Sequence, residues 1–106
     1  MAILSPEEAV DVLGYTFVDE MPGDVTKILL PGIDGFLKNA TGKDWGTITD
    51  TYTEIDPDAK MIARVLLVRW FEDPGMIGKT SDVGVVSLIG QLHAKALQEK
   101  QAMADG

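Results

Sequence analysis

Gly78-Lys79-Thr80 ends like a phosphate-binding loop, in which backbone N–H groups and a lysine cradle the phosphates of a nucleotide. The motif also requires a glycine where Asp73 stands and a strand before it, and here a helical pattern precedes it. The triplet therefore reads as a plain polar loop. His93 is the chain's one histidine, and no serine with a catalytic signature lies beside it, so a helix-surface role is the expectation. The carboxylates gather loosely as Asp19, Glu20 and Asp24, then Asp50, Glu54, Asp56 and Asp58, then Glu72 and Asp73. None of these groups has the central glycine and closing glutamate of a calcium loop. Asp24 and Asp56 are better placed to cap helices, and Asp58 to sit in a first helical turn, where the helix dipole favours negative charge. Catalytic, metal-binding and cofactor-binding residues are thus all expected to be absent, and the chain is not expected to be an enzyme.

The elements that hold these residues are helices. At 106 residues the chain is one domain. Ser5-Pro6-Glu7-Glu8 opens a short helix that Gly14 closes, with Glu8 at the capping-box position. Tyr15 to Gly23 reads as a linking loop. A second helix follows from an Asp24 cap to Thr41, with Val25, Ile28, Leu29, Phe36, Leu37 and Ala40 on its apolar face. Pro31-Gly32 in its middle predicts a kink or break near Leu30. The last helix starts near Val85 with Val86, Leu88, Ile89, Leu92 and Ala96 as its apolar face. Residues 1–97 form the domain, and the polar tail 98–106 is expected to be helical and to fray.

The third helix stands apart. Asp56 can cap it, Pro57 suits its first position and Pro74-Gly75 stops it. At about 100° per residue its apolar side chains, Met61 to Phe71, point in nearly every direction, and a helix apolar all round has to be buried all round. The fold expected is all-α: a small bundle of about four helices around a central hydrophobic helix (57–74), with two long loops (43–56 and 75–84). Alternating threonines at 47, 49, 51 and 53 favour extended structure in the first loop. Long loops in small domains usually have a job.

Charge and composition exclude several classes. Nine Lys and Arg against seventeen Asp and Glu give a net charge of −8, the reverse of the positive patch a duplex binder needs. Cysteine is absent, which removes disulfides and thiolate zinc sites and is compatible with a bacterial cytoplasm. MAILSPEE lacks the basic start and apolar run of a signal peptide, and no segment has the apolar length of a membrane span. The candidates left are contact residues. Trp70 belongs to the core. Trp45 either folds back on the helices or meets a partner, and Met76 and Ile77 on the second loop pose the same question. With Tyr52, Val68 and Phe71 they form the expected interface set.

Four stretches occur in order: SPEEAVDVLG, a helix ending in NATGKDW, KMIARVLLVRWFEDPG, and VVSLIGQLH. Across residues 3–93 the chain resembles the head-tail connector family of long-tailed bacteriophages and prophages (also called adaptor, head-completion or DNA-packaging proteins). Those proteins are similar in length, in a threonine-glycine end to an early helix, in a central hydrophobic helix closing on an aromatic pair plus acid, and in a leucine-isoleucine-x-glutamine-leucine helix, matched by Leu88, Ile89, Gln91 and Leu92. The chain departs from the family at His93-Ala94, where arginine-glycine is common. The resemblance implies a structural virion protein in the head-tail neck, made and assembled in the bacterial cytoplasm. About a dozen copies would close head-to-tail into a ring, starting from monomers when free. The implied partners are the portal protein and a stopper or tail-completion protein, with DNA passing the lumen without specific binding and no membrane involved. The alternative class is a small acidic helical phage regulator or inhibitor that acts by protein-protein binding.

Overall fold

A computed structural model describes residues 3–46, 55–80 and 82–105, with side chains as far as 101. Four α-helices make up the fold: α1 (Pro6–Leu13), α2 (Leu30–Thr41), α3 (Pro57–Glu72) and α4 (Val83–Asp105). No strand occurs among the described residues, and no helix among them is long and apolar enough to cross a membrane. The all-α bundle expected from the pattern is what forms. The expected extended threonine segment and Tyr52 lie outside the described residues.

Helix α1 is bounded as its sequence dictates. Glu8 N–H donates to Ser5 Oγ at 3.1 Å, and Ser5 N–H donates to Glu8 Oε1 at 3.1 Å, the reciprocal box that satisfies two otherwise orphaned donors. Gly14 takes the left-handed conformation (φ 82°) that ends the helix. In front of α1, Ile3 and Leu4 are each only 1% exposed and plug the core. Ile3 N–H is anchored by Asp34 Oδ1 of α2 at 3.0 Å.

The proline in the second helical stretch is accommodated by widening rather than breaking the helix. Val25–Leu29 winds as a π turn that runs directly into α2, with Leu30 N–H donating to Val25 O, five residues back. Pro31 has no N–H to give, and its ring would press on the carbonyl four residues earlier in an α turn. The wider turn relieves that contact and changes the phase of the apolar face. Val25, Leu29, Leu30, Ile33 and Leu37 are buried, whereas Ile28 and Ala40, both expected inside, are exposed. Asp24 is not the cap expected of it. It is already helical, makes no capping hydrogen bond and occupies the first turn.

Helix α3 is central, packing against α1, α2 and α4. Asp56 caps it, accepting from Asp58 N–H at 2.8 Å and Ala59 N–H at 3.3 Å. It ends at Glu72, and Pro74–Met76 forms a separate 3-10 turn. Its inner face is Ala59, Ile62, Ala63, Leu66, Leu67 and Trp70. The expectation of burial all round is corrected: Met61 is 44% exposed, Arg64, Arg69 and Glu72 are exposed, and Val65, Val68 and Phe71 are half-buried. The exposed side of α3 is largely polar, carrying Asp58, Arg64, Arg69 and Glu72 with Met61 as its one exposed large apolar side chain. Helix α4 begins at Val83, two residues before the expected start, because Asp82 Oδ1 caps it through Gly84 N–H at 2.9 Å and Val85 N–H at 3.3 Å. Its core face is Val85, Leu92 and Ala96, supported by Leu88 and Ile89. Val86, expected inside, is 52% exposed. Beyond Leu97 the chain stays helical to Asp105.

Asp34 gives a test of the N-terminal plug. Burial raises its pKa, partly opposed by the Ile3 N–H and reinforced by the Asp44 carboxylate. A carboxyl whose folded pKa lies above its unfolded value stabilises in acid and loses that contribution as pH rises through the folded pKa. Asp34→Asn keeps an oxygen acceptor for Ile3 without the charge. Its stability in urea should match or exceed the wild type at pH 7 and lose the Asp34 share of the pH slope. Asp34→Ala should cost about 1–2 kcal/mol by leaving the Ile3 N–H unpaired, with the larger loss in acid, where the wild type gains from the protonated carboxyl.

Candidate interaction surface

Trp45, one of the expected contact residues, belongs to the core at 3% exposure. Its position follows from the end of α2. Gly42 (φ 80°) turns the chain back over the last helical turn, which brings the indole Nε1–H onto Thr41 Oγ1 at 2.7 Å. The Thr41 hydroxyl donates in turn to Leu37 O at 2.7 Å, so this buried polar group is fully satisfied. Lys43 Nζ lies 4.4 Å from the centre of the Trp45 ring, a cation–π contact, and pairs with Glu99 of α4. An interface role for Trp45 is therefore replaced by a structural one. Its ring belongs to the hydrophobic core, and Lys43 beside it ties the end of α2 to α4 through Glu99.

The second loop is fixed from inside by the other tryptophan. Trp70, 1% exposed, donates its indole N–H to Lys79 O at 2.9 Å. Asp73 Oδ1 holds Gly75 N–H at 3.1 Å, Met76 N–H reaches Asp73 O, and Lys79 N–H reaches Met76 O. Gly78 supplies the positive φ of 79° that this closing turn needs. Met76 is half-buried and Ile77 is 37% exposed, so the loop tip displays one apolar side chain and tucks in the other. Val68 and Phe71 are half-buried on α3, and the Phe71 ring meets Tyr15 edge-on at 6.4 Å. Phe71 thus covers the link after α1 more than it faces solvent.

Between this loop, α3 and the start of α4 lies a groove of about 320 Å³. Its floor is apolar (Val65, Leu66, Met76, Val85), and its rim carries charges of both signs. Arg69 and Asp82 face each other across it at 3.7 Å. Such a groove suits an apolar side chain flanked by polar atoms. It brings together no nucleophile, base and orienting acid. Lys79 and Thr80 stand on its rim, but α4 opens only at Val83, so the glycine-lysine-threonine triplet does not lead straight into a helix as a phosphate loop must. His93 is exposed on α4. No cluster of three or more potential metal ligands occurs among the described residues.

An ion-pair group of one lysine and two aspartates joins α3 to α4. Lys95 Nζ lies 2.9 Å from Asp56 Oδ2 and 3.2 Å from Asp58 Oδ2. Burial pushes the Asp56 carboxyl up, but the Lys95 ammonium and the Ala59 and Asp58 N–H groups outweigh it and hold the pKa below the ordinary value. The Asp56 hydrogen bond raises Lys95. Sequence reasoning found the cap at Asp56 and missed its partner 39 residues away. It also missed that, among the described residues, the most exposed large apolar side chains are Val83 at 83%, Phe17 at 67%, Val86 at 52%, Ile28 at 49% and Leu97 at 47%. For α4 the signal was present, since Val83, Val86, Gly90, Ala94 and Leu97 recur at spacings of three and four.

No protein-family model, curated protein or solved structure matches the chain. Trp45 has a direct test. Trp45→Ala should lower the unfolding free energy by about 3–5 kcal/mol in urea titrations. Trp45→Phe, which keeps most of the ring and loses the bond to Thr41, should cost about 1–2 kcal/mol.

Proposed function

We propose that this chain is a structural protein of a bacteriophage or prophage virion, a head-tail connector that forms a ring beneath the portal and joins the DNA-filled head to the tail or stopper. The observation that carries this reading is the ordered set of sequence stretches resembling that family, from SPEEAVDVLG to VVSLIGQLH. Within the fold these stretches coincide with the joints of the bundle. NATGKDW contains the Thr41–Trp45 lock, the hydrophobic stretch is α3, and Leu88, Ile89 and Leu92 lie on the core side of α4.

The surface supports the same reading. Apolar side chains are displayed at Met61 on α3, Ile77 on the second loop, and Val83, Val86 and Leu97 on α4. A subunit that must touch a neighbour on each side, and a portal besides, needs several separate contact areas of this kind. The candidate contacts from the original set are Val68, Met76 and Ile77, with Phe71 contributing its exposed edge. The net charge of −8 suits a channel wall that repels phosphate and lets DNA slide. Several carboxylates (Glu8, Asp56, Asp73, Asp82) are engaged in capping rather than displayed as one acidic stripe, which disfavours a repressor- or nuclease-binding mimic.

Negative-stain electron microscopy of the purified chain mixed with the portal of the same genome should show an added ring of density on the portal. Portals left bare, together with tight binding of the chain to a repressor or nuclease, would replace this reading with that of a regulator.

A further inference from the structure

Phe17 is the most exposed aromatic residue among those described, at 67%, and a built turn holds it out. Its N–H donates to Glu20 Oε1 at 3.0 Å, its carbonyl accepts from Glu20 N–H at 3.1 Å, and Met21 behind it is buried. A ring ordered in water forgoes free energy that burial would recover. The segment that carries it holds acids and no bases. Glu7, Glu8, Asp11, Asp19, Glu20 and Asp24 all precede Lys27, the first base of the sequence.

The groove between α3, the second loop and the start of α4 has the complementary features. A dry cavity of about 150 Å³ already holds a benzene ring, so a groove of about 320 Å³ has room for a phenyl group. Met76 on its floor brings a thioether, a favourable neighbour for an aromatic ring. On the rim, Lys79 is exposed and makes no ion pair among the described residues, and Arg69 has only its long contact with Asp82. Two of the rim acids are already engaged, since Asp73 and Asp82 accept backbone N–H groups. Ring and groove lie on opposite sides of α3. The α3 residues that line the groove are centred on Arg69, whereas Phe71 lies about 200° farther round the helix. Phe71 meets Tyr15, and Phe17 follows two residues later.

We infer that Phe17 of one copy seats in the groove of the next, with Asp19 and Glu20 turned toward Lys79 and Arg69. Each subunit then gives a ring on one side and takes one on the other. Such a contact is heterologous, and its repetition produces a closed ring or an open chain, never a two-fold pair. It supplies the subunit joint of the connector ring and rests on that reading for its closure. One side chain in one groove buries far less than the ~1,200 Å² of a stable complex. The contact is therefore weak between free chains and gains from a template that aligns neighbours.

The native chain has no cysteine, so cross-linking reports only introduced thiols. Thr16 is exposed beside Phe17, and Thr80 lies on the groove. Thr16→Cys and Thr80→Cys are combined in one chain and treated with a short bismaleimide at about 1 mM protein, where even a millimolar contact is well populated. The product should be a ladder of dimers, trimers and higher forms, while the two single variants mixed should stop at the dimer. Adding Phe17→Ser should cut the ladder more than about ten-fold, with an unchanged circular dichroism spectrum and Tm. Lys79→Glu should weaken it as well, and Asp19→Lys in the same chain should restore part of the loss. A ladder that is absent, or that ignores Phe17→Ser, would overturn the contact. Portals that gain a ring of density without such a ladder would overturn the contact and keep the connector. A Phe17-dependent ladder with bare portals would keep the contact and remove the connector.

Discussion

Trp70 is the contact on which the other elements converge. Its ring sits on the inner face of α3, meets Phe36 of α2 edge-on at 5.6 Å, and passes close to Gly32, where an added Cβ would lie 3.6 Å from the indole. Its N–H reaches past α3 to the carbonyl of Lys79 and so sets the path of the chain into α4. A single side chain thereby positions the helix before it in space and the loop after it in sequence. The ring buries a large apolar area, and its polar edge is satisfied by backbone, the combination that lets a tryptophan lie wholly inside. At 3.6 Å an added Cβ at Gly32 would make only an ordinary van der Waals contact, so the ring packs against the α2 backbone without demanding a glycine there.

Around this contact, the parts of the fold decided locally were legible and the parts decided by distant neighbours were not. Ser5, Asp56 and the glycines after α1 and α2 act within a few residues of themselves, so their types and spacing announced both helix ends. Pro31 announced an irregularity, but not that the backbone would answer with a π turn and rotate Ile28 outward. Asp24 had the right type for a cap and lost the role because the helix starts one residue before it. The pattern of α3 showed apolar residues on every side, yet could not show how many helices would reach it. Trp45 was left between two readings because its partner, the Thr41 hydroxyl, is local while its burial depends on the core assembled from distant parts of the chain. Hydrophobicity measured along the chain does not distinguish a side chain that faces its own core from one that faces outward. Val86 and Leu97 show this, since they have the same periodicity as the residues that pack inside.

The two kinds of polar residue in the bundle do different work, and this bears on function. Many acids serve as helix caps or interhelical anchors, and each of those tasks is complete within the chain. The apolar residues on the outer faces of α3, α4 and the second loop have no such internal task. Glu7, Asp11, Asp24, Lys38 and Arg64 remain exposed, and Ile77, Val83, Val86 and Leu97 share that surface with them, so the exterior mixes charged and apolar side chains. The groove beside Met76 fits that description, being floored by side chains and rimmed by ions of both signs.

Asp56 is at once the cap of α3 and the anchor for Lys95 in the middle of α4. Fraying is ordinarily a private matter for each helix end, since the first turn can open without disturbing anything else. Here the first turn of α3 cannot unwind without surrendering the carboxylate that α4 holds, and α4 cannot swing away without uncapping α3. The two helices are therefore joined into one cooperative unit at the point where the chain between them is longest. The loop that joins them, held at the opposite end of α3 by the Trp70 bond to Lys79, adds a second tie between the same two helices.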